Sequence, residues 1–357
     1  MRVLVDLGHP AHFHLFRCTV EALRRQGHDV RVYARQKDCL AALLDAAGWE
    51  YTMPRRRRNK TWALGFEALG VLGQVLREAS RRPFDLMVGT SIVVAPAARL
   101  TGATSIVFNE DDADQVPLFS RLAYGPAHCI ATPRCLAYEV PRHGSKHLTY
   151  QGYQELAYLH PNRFTPDPDI RQALGLRDGQ PYFLVRLVAL TAHHDGGEKG
   201  LSTEQARQVV QRLAPYGQVF VSQEGGLEKD LDVKALPTPS ERIFDVLAMA
   251  DMVVGDSQTI AAEAAVLGTP SLRCNTFVGR LSYLEELEHK YGLTVGIRPD
   301  CFSQVLNRID QWLATPDLRD RWQARRQAML NDCVDVTDWI LDLLHRLAAR
   351  RGGRCRK

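Results

Sequence analysis

The chain is predicted to be an α/β protein of two doubly wound, Rossmann-type domains facing a central cleft. Three observations carry this expectation. Short runs rich in Val, Ile and Leu alternate with longer stretches of helical periodicity from the first residues onward. The runs are nearly continuous in apolar residues, as strands covered by helices on both faces of a parallel sheet are. The alternation breaks once, around residues 151–168, and then resumes, and 357 residues is long for one hydrophobic core.

The elements follow in order. "RVLVDL" reads as a strand, and "HLFRCTVEALRRQGH" as a helix with Leu15, Phe16, Val20 and Leu23 on one face, closed at Gly27. "DVRVYA" is the second strand, and "KDCLAALLDAAG" a helix ending at Gly48. After "YTM" and a basic run comes a long helix over residues 62–81, then the strand "FDLMVG", a short helix in "IVVAPAARLTG", and the strands "TSIVFN" and "AHCIATP". "QGYQELAYLHPNRFTPDPD" reads as a rigid interdomain connection, because prolines and aromatics interrupt the pattern. The second half continues as "PYFLVRLV" (strand), "STEQARQVVQRLAPYG" (helix), "QVFVSQ" (strand), "ERIFDVLAMA" (helix), "DMVVGD" (strand), "TIAAEAAVLG" (helix) and "PSLRC" (strand). Helices occupy residues 302–350. The expected bounds are an N-terminal Rossmann-like domain over 1–160, a C-terminal Rossmann-like domain over 161–335, and a helix with a basic tail over 336–357.

Composition narrows the class. Hydrophobic content of 45% and charged content of 24% are ordinary for a soluble globular protein. The first apolar run is shorter than that of a signal peptide, and no stretch approaches ~18 uninterrupted apolar residues. The eight cysteines form no C-x-x-C pair, as expected of reduced thiols, so the predicted compartment is the cytoplasm. Net charge is +4, with 20 Lys/Arg against 14 Asp/Glu through Gln151 and 25 against 27 beyond it. The first-half excess is concentrated at Arg55, Arg56, Arg57, Arg58 and Lys60. No helix-turn-helix, RNA-binding aromatic motif or zinc finger accompanies it, so a nucleic-acid partner is not expected. With Trp62, Leu64 and Phe66 beside it, the run is either an exposed loop or a docking face for anionic membrane, at ~1 kcal/mol per basic group.

"LAMADMVVGDSQTIAAEAAVLGTPSLRC" is the most informative segment. A buried strand ends at Gly255-Asp256-Ser257, and a helix runs from there to Leu267, stopped by Gly268 and Pro270. Ser257, Gln258 and Thr259 therefore stand at a helix N-terminus, where free backbone N–H groups and the macrodipole favour an anion such as a diphosphate. Glu263, on the second turn, is within reach of a ribose; alternatively Asp256 or Ser257 is only an N-cap and Glu263 is solvated.

"DLGHPAHFH" follows the first strand, where doubly wound domains place their ligands. Gly8 lets the backbone approach a substrate closely. A histidine there, with a pKa near neutrality, can take a proton from an acceptor hydroxyl. His12 is the candidate base, His9 the candidate substrate contact, and His14 belongs to the helix. Zinc is not expected, because H-x-x-H-x-H across a turn has no recognised zinc geometry. "NEDDADQ" offers Glu110, Asp111 and Asp112 as a general base or as ligands of sugar hydroxyls, or else is a solvated loop. In "HHDGGEKG", His194 and Lys199 are candidate phosphate contacts or parts of a polar turn. Arg186, a charge inside an apolar strand, needs an anion, either a donor phosphate or an internal partner.

"DSQTIAAEA" resembles the nucleotide-binding helix of the GT-B superfamily, the two-Rossmann-domain glycosyltransferases and the UDP-N-acetylglucosamine 2-epimerases. The epimerase pattern Asp-Ser-Gly-Gly-Ile-x-x-Glu-Ala is kept at Asp256, Ser257, Ile260, Glu263 and Ala264, and departs at Gln258 and Thr259. The resemblance implies Ser257 near the diphosphate and Glu263 on the ribose hydroxyls. "TSIVFNEDDADQVPLFSRLAYGPAHCIATP" is similar to an epimerase segment too, with Glu110 near their glutamate. Their His-Arg-Arg-Glu-Asn run is absent from "FLVRLVALTAHHDGGEKGL", which counts against epimerase chemistry. As a whole the chain resembles the domain-of-unknown-function family 354, through "DLGHPAHFH", "YLHPNRFTPDP", "VRLV" with "HHDGGEKGL", and "GDSQTIAAEAAVLGTPS". The resemblance implies a GT-B-like fold.

The expected function is that of a nucleotide-sugar-dependent glycosyltransferase of polysaccharide or glycolipid assembly, inverting and metal-independent. Its donor would be UDP-linked, its acceptor a saccharide or a lipid-linked sugar, and it would use no separate cofactor. The alternatives are a UDP-N-acetylhexosamine 2-epimerase or hydrolase, and a non-catalytic binding protein on the same fold.

Overall fold

The computed structural model describes residues 1–37, 39–53, 63–139, 143–188, 199–223, 234–237 and 240–354. The chain forms two compact units, one of Met1–Arg163 with Val334–Lys357 and one of Phe164–Cys333.

The first unit begins with β1 (Arg2–Leu7), α1 (Pro10–Arg25), β2 (Asp29–Ala34), α2 (Leu40–Ala46) and β3 (Tyr51–Thr52). It continues with α3 (Ala63–Arg81), β4 (Leu86–Gly89), α4 (Val94–Thr101), β5 (Thr104–Phe108) and α5 (Pro117–Ala123). β6 (Cys129–Pro133), β7 (His147–Tyr150) and the short α6 (Leu156–Leu159) complete this pass. The seven strands are parallel in the order β3-β2-β1-β4-β5-β6-β7. Every residue of β1 and β4 is buried, which is why these runs lack the alternation of a half-exposed sheet.

The second unit carries α7 (Ile170–Ala173), β8 (Tyr182–Leu187), α8 (Thr203–Leu213), β9 (Gln218–Gln223), β10 (Lys234–Ala235) and α9 (Ile243–Met249). Then come β11 (Met252–Gly255), α10 (Gln258–Leu267), β12 (Ser271–Cys274), α11 (Ser282–His289) and β13 (Thr294–Ile297). α12 (Phe302–Leu313) and α13 (Leu318–Asp332) end the unit, and α14 (Val336–Arg354) returns to the first. The sheet is parallel in the order β10-β9-β8-β11-β12-β13. Trp322 of α13 fastens the helical finish by donating its indole N–H to the Leu293 carbonyl, 2.8 Å away.

Two sequence expectations change. The helix expected from His14 starts four residues earlier at Pro10, because His9 caps it and proline suits the first helical position. The segment read as an interdomain connection does hold the passage between the units, at Arg163 and Phe164, but its first part is core of the first unit. Tyr153, Leu156, Ala157 and Leu159 are buried, and α6 packs on α1 and α14. Its aromatic and apolar residues marked burial, and the proline-rich part that follows marked the crossing.

Each sheet reverses its winding between its first strand and the fourth it forms with, β1/β4 in one unit and β8/β11 in the other. Both fourth strands end in glycine at the position paired with the first strand, Gly89 opposite Asp6 and Gly255 opposite Arg186. A Cβ on Gly89 would lie 2.5 Å from the Asp6 carbonyl oxygen, and one on Gly255 would overlap that of Arg186. Glycine is required by this close approach, and it opens each sheet where ligands of such folds bind.

Candidate functional site

In the second unit, Asp256 and Ser257 divide the work at the end of β11. Asp256 Oδ1 accepts the Val188 N–H at 2.7 Å and Oδ2 the Leu201 N–H at 3.2 Å. Its backbone carbonyl accepts from Asn275 Nδ2 at 2.8 Å. Asp256 thus ties the loops after β8 and β12 to the switch point, and burial pushes its carboxyl up to about 6. Ser257 is the N-cap of α10, its Oγ accepting the Ile260 N–H at 3.3 Å. Gln258 and Thr259 form the exposed side of the first turn, half-buried, with first-turn N–H groups that have no intrahelical acceptor.

Glu263 is 3% exposed, so the solvated alternative for it does not hold. It is a buried carboxylate in a helix otherwise built of alanine and aliphatic residues. Arg186 donates to Ser222 Oγ at 2.6 Å and lies within electrostatic range of Asp256, which supplies the anion its strand position requires. Lys199 is exposed, and its loop is fixed through its backbone: its N–H donates to Thr276 Oγ1 at 3.1 Å and its carbonyl accepts the Thr276 N–H at 3.0 Å. His194 lies outside the described residues, as do Arg55, Arg56, Arg57, Arg58 and Lys60.

In the first unit, Gly8, His9 and His12 gather at the carboxyl edge of β1. His9 Nδ1 accepts the Ala11 N–H at 3.2 Å, and His12 Nδ1 accepts the Gly8 N–H at 3.1 Å. Burial, aided by the charges of His9, Arg35 and Lys37, pushes His12 down to about 3. It is therefore neutral at ordinary pH, and because Nδ1 is an acceptor the ring proton resides on Nε2. In this tautomer the His12 ring carries its N–H at Nε2. The base expected at His12 would act through Nε2 in the other tautomer, at the cost of the Gly8 hydrogen bond.

Glu110 and Asp111 leave the sheet after β5, two strands from β1 and so roughly 10 Å across it. Both are half-buried. Burial and the neighbouring Asp112 raise the Asp111 carboxyl above its usual range, which strengthens it as a proton acceptor. Asn109 holds the loop, donating Nδ2 to the Asp111 carbonyl at 2.6 Å and to the Tyr124 hydroxyl at 2.8 Å.

Sequence reasoning missed three residues of this edge. The buried Asp6 pairs with Arg35 at 3.1 Å, and Arg35 also reaches Ser91 Oγ at 3.2 Å. Arg35 follows β2 directly and Ser91 follows β4 by two residues, so the rule that ligands gather beyond strand carboxyl ends would have found both. In the second unit the fully buried Arg273 was missed; it is neutralised by Glu285 at 2.7 Å and Glu288 at 3.0 Å. Its role there is internal.

Two parallel sheets with covering helices, each wound about a switch point, define the GT-B fold. Solved structures share it across nearly the whole chain. The UDP-GlcNAc 2-epimerase from Neisseria meningitidis, bound to UDP-GlcNAc, has a TM-score of 0.69 at 13% identity, covering 97% of this chain and 100% of that one. The spinosyn rhamnosyltransferase SpnG, complexed with thymidine diphosphate, has a TM-score of 0.66 at 15% identity, over 96% and 100%. The glycosyltransferase VinC, in complex with DTDP, has a TM-score of 0.62 at 16% identity, over 98% and 100%. No family model matches the chain, and neither does any curated protein.

Proposed function

We propose that the protein is a nucleotide-sugar-dependent glycosyltransferase of the inverting type, acting in polysaccharide or glycolipid assembly. The observation that carries this reading is the junction of β11 and α10. There a ten-residue helix opens on Ser257 at the switch point, with Gln258 and Thr259 in its first turn and the buried Glu263 on its second. Its N-terminus suits the donor diphosphate, and Glu263, about 9 Å further along the axis, suits the ribose. UDP is the proposed base-linked carrier, since the resemblance is to enzymes of UDP sugars, and the reading needs no cofactor besides the donor.

The acceptor is assigned to the carboxyl edge of the first unit. Asp111 or Glu110 takes the proton of the attacking hydroxyl, while the Nε2–H of His12 holds a substrate oxygen. A lipid-linked acceptor is part of this reading. Leu69, Leu100, Leu118 and Leu122 are exposed on the consecutive helices α3, α4 and α5, and the basic run precedes α3. Sedimentation with anionic vesicles tests that contact. Among the described residues, no helix is long and apolar enough to cross a membrane.

Calorimetry with UDP, GDP, TDP and CMP compounds tests the main reading. At least one nucleotide is expected to bind, with Glu263→Gln weakening it at least tenfold. Absence of binding by all four overturns the proposal. A second reading, 2-epimerisation, is favoured by the epimerase fold similarity and by the retained Asp256, Ser257 and Glu263. Turnover of UDP-N-acetylhexosamine without acceptor would select it.

A further inference from the structure

β13 is the last strand of the second sheet, and a groove runs along it between α11, α12 and α13. The groove holds two adjoining cavities of about 360 and 370 Å³, which share Glu288, Val295, Arg308 and Gln311. Each falls in the range of ~300–1,000 Å³ typical of small-ligand sites. The first cavity lies toward the amino end of β13, at Gly292 and Thr294. Ser257 instead follows the carboxyl end of β11, two strands away in the same parallel sheet. The groove is therefore separate from the site assigned to the donor.

Three arginines meet at the first cavity, Arg308 from α12 and Arg321 and Arg325 from α13. Arg321 is paired with Asp317 at 3.0 Å. Among the described residues, neither Arg308 nor Arg325 has an ion-pair partner. Arg325 is half-buried, and its direction is fixed: the guanidinium lies 4.3 Å from the centre of the Trp322 ring and donates to the Gly292 carbonyl at 2.7 Å. Arg321 stands one turn before it on the same face, a like-charge spacing that works against the helix. Burial and this neighbour push Arg325 below its ordinary value. The carboxylate of the lining, Glu288, is already engaged, since its Oε2 accepts from the buried Arg273 at 3.0 Å and from the Gly296 N–H at 2.9 Å.

A concave surface with two arginines that lack a counter-charge favours an anion, and the guanidinium fork matches a phosphate. Beyond the arginines, Gln304, Asn307 and Gln311 line the second cavity from one face of α12, spaced three and four residues apart. Their amides make no hydrogen bond among the described residues, and amides can both donate to and accept from hydroxyls. Phosphate-binding and hydroxyl-binding groups thus stand side by side in one groove.

We propose that this groove binds a phosphorylated sugar, with Arg308 and Arg325 on the phosphate and the amides of α12 on the hydroxyls. It is a second ligand site, independent of the glycosyltransferase reading.

The test titrates the full chain by calorimetry with glucose 1-phosphate, glucose 6-phosphate, N-acetylglucosamine 1-phosphate, glucose and inorganic phosphate. At least one sugar phosphate is expected to bind at least tenfold more tightly than glucose or inorganic phosphate. Arg308→Ala, at an exposed position where folding is not at stake, weakens it at least tenfold, as does Arg325→Gln, whereas Glu263→Gln leaves it unchanged. Binding of none of the three, equal affinity for inorganic phosphate, or binding that survives Arg308→Ala and is lost in Glu263→Gln overturns the inference. Nucleotide binding by the same samples separates the two claims: if no nucleotide binds and the sugar phosphate does, the donor reading fails and the groove stands.

Discussion

Substituting Gly255 by alanine tests whether the switch point of the second unit is as tightly built as the structure implies. The new Cβ would lie 3.0 Å from the Arg186 carbonyl carbon and 3.2 Å from its Cβ, and closer still to the carbonyl oxygen. Carbon atoms prefer 3.5–4.0 Å, so β11 must move away from β8. That movement is opposed, because the same Arg186 carbonyl accepts the Asp256 N–H at 3.2 Å, and Asp256 in turn holds Val188, Leu201 and Asn275. Overpacking of this kind costs about 1–3 kcal/mol, and loss of one buried hydrogen bond adds about 1 kcal/mol. Gly255→Ala is therefore expected to lose roughly 2–4 kcal/mol in urea unfolding and to weaken nucleotide binding. Gly73→Ala is the control: it lies within α3, nothing stands within 4 Å of its Cβ, and the change gains about 0.5–1 kcal/mol. If Gly255→Ala unfolds at the urea concentration of the unsubstituted protein, the close approach does not constrain the site.

Ser257→Ala removes the cap of α10 and is expected to cost about 1 kcal/mol by denaturant unfolding, together with weaker binding of any nucleoside diphosphate. His14 is pushed down to about 3 by burial, so it stabilises the fold fully above its ordinary value of 6.5, and the contribution is lost as pH falls toward 3. His14→Phe should take about 1.4 kcal/mol per pH unit out of the slope of stability against pH between 6 and 4; an unchanged slope would show that His14 takes up no protons on unfolding. Asp256 has the opposite sign. Its raised carboxyl favours the folded state below pH 3.8, and that gain is lost as pH rises through about 6, so Asp256→Asn should steepen the acid loss of stability.

Much of this fold was legible because parallel strands buried on both faces must be apolar throughout. β1, β4, β5, β6, β8, β11 and β12 came from such runs, whereas β2 and β9, exposed or half-buried in part, were marked by their Val, Tyr and Phe positions. β7 and β13 did not, since "HLTY" and "TVGI" are four-residue edge strands with polar or glycine positions, and only tertiary pairing distinguishes them from loops. The junction at Ser257 was legible because a cap, a helix and a glycine stop are local signals. The tautomers of His9 and His12 were not, because they depend on backbone N–H groups that face the rings only after α1 begins at Pro10.

The two helices that leave the switch points differ in how much anion affinity they retain, and this difference favours placing the donor on the second unit. In α1 the first-turn donors are already committed. Pro10 has no N–H, that of Ala11 goes to the His9 ring, and that of His12 goes to the His9 carbonyl at 3.0 Å. In α10 the Ser257 hydroxyl takes the Ile260 N–H, and the N–H groups of Gln258 and Thr259 keep the macrodipole's full attraction for a ligand. Each free charge-assisted donor on a phosphate oxygen is worth roughly twice a neutral one. A diphosphate therefore gains more at α10 than at α1.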